Sequence, residues 1–329
     1  MVKDSAQPEQ EQQFPEVRQK AGIQPDDALA EAARKILQFH FARMLHHEPG
    51  TRLGEDVEEL HDMRVSIRRM RAAFRTFGRA FKPKVAKTWA RELRATGRTL
   101  GRVRDLDVLA EKAGHYLATL SKEARQGLDP LFAFWGQERE QARIRMLAYL
   151  NGERYRTFKQ GFNVFLNSAE AGVRSYSGKQ ARLDRVRYAA PLLIYDRLAV
   201  VRTYESTLDE ISIEQLHRLR IDFKRLRYTI EFFREVLGRE VKGVINDLKQ
   251  MQDHLGDLND ADVACQFLGE FLEAWDERQP GLPAAEPVAS YLAARLDERQ
   301  RLLMTFNEAW TRFNRPDFRR NLALAIARL

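Results

Sequence analysis

Two stretches of the chain set a histidine and a run of guanidinium and ammonium groups at helical spacing with no acid among them. The first, HDMRVSIRRMR at 61–71, carries His61, Arg64, Arg68 and Arg71; the second, HRLRIDFKRLR at 217–227, carries His217, Arg220, Lys224 and Arg227. At about 100° per residue each set falls on one arc of a helix. The arc beside it is apolar: Met63, Ile67, Met70, Phe74 and Phe77 in the first, and Leu219, Phe223, Leu226, Ile230 and Phe233 in the second. Tyr228 extends the second basic edge with a hydroxyl donor, and Arg69 and Arg225 are secondary members of the same motifs.

Like charges three and four residues apart destabilise an isolated helix, and solvated charged faces usually interleave acids to relieve this. Holding that cost twice, in register, points to an anion that offsets it. Each arc rises roughly 15 Å along its helix with a donor about every 5 Å, which suits a chain of repeated phosphates better than one small anion. Arginine supplies a planar fork for phosphate oxygens and lysine a point charge. Histidine among arginines has its protonated form disfavoured, so His61 and His217 are expected to donate one neutral N–H or to orient an arginine, unless they are structural.

The helix after the first motif adds Lys87, Arg91, Arg94 and Arg98 at i, i+4, i+7 and i+11. In the second half Lys242 and Lys249 persist, while Asn246 and Asp253 replace Arg91 and Arg98. Arg94 and Lys249 therefore join the candidate site, with Lys87, Arg91, Arg98 and Lys242 secondary. Arg104 faces Asn259 across the repeat, so its anion role would be one-sided. Asp105 and Asp260 follow a Leu-Gly pair and are expected to cap a new helix rather than to pair with a motif arginine.

These motifs belong to an internal duplication. The basic motifs align at an offset of 156, and LGRVRDLDVL at 100–109 aligns with LGDLNDADVA at 255–264 at an offset of 155. The elements that carry them read as helices throughout, with no sustained period-two alternation, so the fold class is all-α. Residues 1–24 are polar and unpatterned and read as a flexible leader; 25–171 form the first helical repeat, 172–190 a linker and 191–329 the second repeat. Helices are expected over 83–100 and 105–120, over 239–255 and 259–276, and from about 288 onward, with RQPGLPAAEP as a loop.

The bulk numbers narrow the function classes. A formal charge of +8 favours anionic partners such as nucleic acid, polyphosphate or a membrane surface. The single cysteine, Cys265, leaves no disulfide framework and no cysteine pair for zinc. No signal-peptide core and no run of about 18 apolar residues is present, so the reading is cytoplasmic with no membrane span. No phosphate-binding glycine loop, metalloprotease helix or nucleophile elbow appears, so no enzyme activity, cofactor or metal is expected. His46-His47-Glu48 offers adjacent histidines that point about 100° apart on a helix. Asp257, Asp260 and Asp262 read as a helix start rather than as magnesium ligands. Nucleic acid is the second candidate partner, but base readout would call for exposed aromatics or amides on the basic arc, where only Tyr228 fits. A protein-binding scaffold is a third.

The paired motifs resemble those of the CHAD family, the conserved-histidine α-helical domain, over roughly residues 26–329. Its halves are marked by H-x-x-R-V/I-x-x-x-R/K-R-x-R and by L-G-x-x-R-D-x-D-V, and Asn259 departs from the arginine of the second pattern. The resemblance implies two four-helix bundles related by a pseudo-twofold around a basic groove or pore. It also implies binding of inorganic polyphosphate and association with polyphosphate granules. Members are often fused to a triphosphate tunnel domain, whose E-x-E-x-K strand motif is not found in this sequence.

Overall fold

The fold is taken from a computed structural model, which describes residues 14–278 and 285–329. Residues 1–13 of the expected leader and 279–284 of the expected loop lie outside the described residues. The first half contains α1 (Leu29–Leu53), α2 (Val57–Thr76), α3 (Pro83–Leu117), α4 (Lys122–Gln126), α5 (Asp129–Asn151) and α6 (Glu153–Asn167). The second contains α7 (Gly178–Leu183), α8 (Val186–Arg202), a 3-10 turn at Thr203–Glu210, α9 (Ile213–Phe232), α10 (Val241–Arg278), α11 (Ala285–Met304), α12 (Phe306–Phe313) and α13 (Pro316–Ile326). Among the described residues there is no strand, only two isolated bridges. The class is all-α.

Local signals fix the two motif helices. The Asp56 side chain accepts the Glu58 N–H at 2.8 Å to open α2, and Glu58 and Glu59 complement the positive end of the helix. A reciprocal capping box opens α9: the Gln215 N–H donates to the Ser212 hydroxyl and the Ser212 N–H to the Gln215 side chain. The apolar arcs behave as their spacing predicts. Met63, Ile67, Met70, Phe74 and Phe77, and likewise Leu219, Phe223, Leu226, Ile230 and Phe233, are all buried in one core that runs through both halves.

The halves repeat each other's packing. α2 lies against α1 and α3, and α3 against α5; α9 lies against α8 and α10, and α10 against α11. Where the halves meet, contacts are reciprocal. The Leu29 N–H donates to the Asp184 carbonyl at 2.9 Å, and the Val186 N–H to the Asp27 carbonyl at 3.0 Å, so the first turns of α1 and α8 exchange the same bond. α2 and α9 touch directly, and Phe77 and Phe233, which hold the same place in the two motifs, bring their rings to 5.4 Å.

Several expected boundaries are corrected. No break follows Leu100-Gly101 or Leu255-Gly256: α3 runs unbroken for 35 residues and α10 for 38. A glycine inside a helix costs only about 1 kcal/mol, and the buried Leu100, Val103 and Leu106 carry the apolar face straight through it. An added Cβ at Gly101 would meet the Arg64 guanidinium at an ordinary 3.7 Å, so the helix passes this position without strain. The span 172–190 holds α7 and the first turn of α8, which starts ahead of Pro191. The helix expected from about 288 begins at Ala285 and is followed by two shorter ones. The described end of the leader is docked: Ala21, Gly22 and Ile23 all donate backbone N–H groups to the Glu235 carboxylate, and Ile23 is buried.

Candidate anion-binding site

The basic arcs of α2 and α9 come together where the helices touch. Lys224 is the reporter: burial, then the charges of Arg220, Arg68, Arg227 and Arg64, brings its ammonium down to about 7. Burial also lowers the Arg68 guanidinium, partly countered by Tyr228 and reinforced by Arg64, Arg69 and Arg227. Arg71 is lowered by burial and then by Arg75, Arg94, Arg98 and Arg64. Each shift has the same physical origin, charge taken out of water and set beside like charge. Arg68, Arg71, Arg220 and Lys224 have no ion-pair partner among the described residues, and the Nε groups of Arg68 and Arg227 are buried without a hydrogen bond.

Other members are compensated. Arg64 pairs with Asp105 at 3.0 Å, which replaces the expected capping role of that aspartate, since residue 105 stands in mid-helix. Glu231 forms ion pairs with Arg69 at 2.6 Å and Arg227 at 3.6 Å, and Asp222 accepts a hydrogen bond from Arg225 at 2.8 Å. Arg104 is only 8% exposed; Glu58 and Glu111 stand 3.7 and 4.0 Å away, and its Nε and Nη1 are unpartnered. It also helps burial lower the pKa of His61, so the imidazole is favoured in the neutral form that the sequence suggested. His217, in the corresponding place, meets Asn259 Oδ1 through Nδ1 at 2.7 Å. The departure at 259 therefore exchanges a charge beside the first histidine for an amide that orients the second.

The CHAD domain family matches residues 35–269. The chain belongs to that family. It is similar to the crystal structure of the CHAD domain from the plant Ricinus communis, with 25% identity over 90% of this chain and 96% of that one, at a TM-score of 0.69. Its fold is also that of PptA from Streptomyces chartreusis, with 20% identity over 87% of this chain and 100% of that one, at a TM-score of 0.62. No curated protein matches.

In this CHAD domain Tyr228 does not take the expected place at the exposed basic edge. It is 3% exposed, its hydroxyl is buried without a partner, and its ring lies under the guanidinium carbons of Arg69, Arg227 and Arg68 at 5.1, 5.4 and 6.0 Å. The residue is a platform that holds arginines of both halves by cation–π attraction. Arg94 and Arg98 are exposed and bear on Arg71, whereas the exposed Arg91 is drawn to Glu92 at 3.1 Å. Lys87, Lys242 and Lys249 are exposed, and no described contact ties them to the cluster. Arg75 was missed. It continues the stripe one turn past Arg71, but its counterpart in the second motif is Glu231, so the repeat gave it no support.

The other groups of the CHAD chain that could suggest chemistry have structural partners. His47 faces Glu59 at 2.9 Å and Asp62 at 3.7 Å, and Glu48 is buried under Arg52, Tyr155 and Lys159. Asp257 and Asp260 hold Lys112, and Asp262 holds Arg299, all from within the continuous α10 rather than at a helix start. Among the described residues no group of three His, Cys, Asp or Glu side chains could hold a metal, and no helix is long and apolar enough to cross a membrane.

Proposed function

We propose that this CHAD domain binds inorganic polyphosphate along a basic groove between its two halves, acting as a binding module and not as an enzyme. In this reading the halves are two four-helix bundles related by a local twofold, with Arg68 and Lys224 beside the axis. The observation that carries it is that Arg68, Arg71, Arg220 and Lys224 stand on two helices in contact with no ion-pair partner among the described residues, the mutual repulsion being felt at Lys224. A protein concentrates unpaired charge in this way at a folding cost, and a linear anion with a charge on every unit offsets it along the whole stripe. The arginine forks of Arg68, Arg71, Arg220 and Arg227 would take the phosphate oxygens, Lys224 would add a point charge, and neutral His61 and His217 would donate single N–H groups. Through the same affinity the protein is proposed to sit in the cytoplasm at polyphosphate granules.

Single-stranded RNA also carries a charge on every unit, but stacking needs an exposed aromatic and Tyr228 is buried. Titration with polyphosphate, orthophosphate and single-stranded RNA at one ionic strength separates the readings. Polyphosphate should bind tightest, with affinity that rises with chain length and falls steeply with salt. RNA binding as tight as polyphosphate would overturn the proposal. So would undiminished binding after combined Arg64→Glu, Arg68→Glu, Arg220→Glu and Lys224→Glu substitution in a chain that keeps its helicity.

A further inference from the structure

The two halves differ sharply at one pair of corresponding places beside the central cluster. On one flank Arg69 of α2 meets Glu231 of α9 at 2.6 Å, and His40 of α1 lies close by, buried and held to about pKa 3 by burial and then by Arg69 and Arg43. Under the local twofold, Arg69 corresponds to Arg225 and Glu231 to Arg75. His40 corresponds to Arg197, by the register that pairs the first turns of α1 and α8. The flank that carries an arginine, an acid and a neutral imidazole on one side thus carries three arginines on the other.

The helices that carry those arginines pack on one another, α9 lying against both α2 and α8. The Thr76 and Thr229 hydroxyls are 3.3 Å apart, and Thr229 donates to the Arg225 carbonyl at 2.9 Å, which fixes the last turn of α2 beside α9 next to Arg75. Burial, then Arg225, Arg94 and Arg197, lowers the Arg75 guanidinium. The acid at hand is Asp222, and it is divided: one oxygen accepts Arg225 at 2.8 Å and the other the Tyr204 hydroxyl at 3.1 Å. The Arg225 Nε is buried without a partner. Arg94 bears on both Arg71 and Arg75, so this cluster is continuous with the central one. On the opposite flank the Glu231 carboxylate stands in the corresponding path and repels an anion.

We propose that Arg75, Arg197 and Arg225 form a second phosphate subsite, joined to the centre through Arg94, so that a bound polyphosphate leaves the groove on this flank and not past Glu231. The inference rests on the polyphosphate reading and gives the groove a direction that the duplication alone would not.

The test uses the full chain with paired Arg75→Gln and Arg197→Gln substitutions. Its control is Arg319→Gln with Arg320→Gln, which removes equal charge from exposed positions of α13. Long-chain polyphosphate is titrated at several salt concentrations. The paired variant should weaken binding about tenfold and shallow the salt dependence by one to two phosphate contacts, roughly 0.7–0.9 per contact in the log–log slope. Its ligand-free melting temperature should hold or rise, because repulsion has been removed. Wild-type slope and affinity in the paired variant, or equal losses in the control, would overturn the subsite while leaving polyphosphate binding intact. If the wild-type chain fails to bind long polyphosphate, the functional reading fails instead. In that event the subsite is judged with tripolyphosphate: a larger thermal shift in wild type than in the paired variant sustains it, and equal shifts overturn it.

Discussion

Arg68 and Lys224 hold the same place in the two motif helices, and the charge of one bears on the other where α2 meets α9. A duplicated helix has here been turned to face its own copy, so that corresponding cations share one desolvated spot. The Tyr228 ring beneath Arg68, Arg69 and Arg227 and the Phe77–Phe233 contact supply the packing that holds this repulsive arrangement in place.

Binding should be coupled to proton uptake at Lys224. With its pKa near 7, the free protein loses this charge as pH rises through neutrality, and a polyanion would draw the proton back. Polyphosphate affinity is therefore expected to fall between about pH 6 and about pH 8, beyond the effect of phosphate ionisation alone. Calorimetry in two buffers of different ionisation enthalpy reads the uptake, and Lys224→Arg should abolish it. The sign for ligand-free stability is opposite to that of binding. From about pH 7 up to the ordinary lysine value of 10.5 the unfolded chain holds a proton that the folded one lacks, so this residue makes stability rise with pH across that window. An uptake equal in wild type and Lys224→Arg would place the proton elsewhere.

Tyr228 should act through its ring and not its hydroxyl. The hydroxyl is buried without a partner, so Tyr228→Phe should leave stability unchanged or raise it by about 1 kcal/mol and should retain polyphosphate affinity. Tyr228→Leu removes the surface under three guanidiniums, each contact on the order of 0.5–1 kcal/mol, and opens a cavity as well. Thermal melts and titrations on the two variants separate the roles. Equal losses of affinity in both would show that the hydroxyl itself meets the ligand.

Asp105 should restrain Arg64. The carboxylate is 62% exposed in its side chain and holds Arg64 at 3.0 Å, so a phosphate must compete with it for the guanidinium. Asp105→Asn is expected to tighten polyphosphate binding a few-fold, with stability changed by less than about 1 kcal/mol, as is usual for an exposed pair. Weaker binding in this variant would mean that Asp105 positions Arg64 for the ligand instead of occupying it.

Sequence spacing revealed what depends on one helix at a time. The basic arcs, the apolar arcs beside them and the Ser212 cap are properties of a single element, and the duplication tied the two copies together. What escaped depends on a second element. The helical wheel of α9 puts Tyr228 at an edge, and only the approach of α2, bringing Arg68 and Arg69, covers it. Asp105 looked like a cap because Gly101 looked like a break, whereas the neighbouring apolar residues are buried strongly enough to carry α3 through. Arg75 was hidden by the comparison that exposed the rest: weighing residues by their recurrence discards a site that only one half retains.

Glu48, which pairs with none of the motif arginines, gives a stability prediction independent of any ligand. Burial raises its pKa most. Hydrogen bonds from Arg52, Lys159 and Tyr155, with the Lys159 charge, more than reverse this and leave the pKa below the ordinary value. Its contribution is therefore present above the ordinary carboxylate range and lost as pH falls through its folded value. Glu48→Ala would leave Lys159 and the Tyr155 hydroxyl facing a buried gap and should cost roughly 3–5 kcal/mol. Glu48→Leu combined with Lys159→Met should recover the part of that loss that comes from the stranded ammonium, while the unpaired Arg52 and Tyr155 hydroxyl keep the rest. Denaturant melts of the two singles and the double form a cycle that reads the coupling. Additive losses would mean that the carboxylate is held by Arg52 and Tyr155 alone, with Lys159 a bystander.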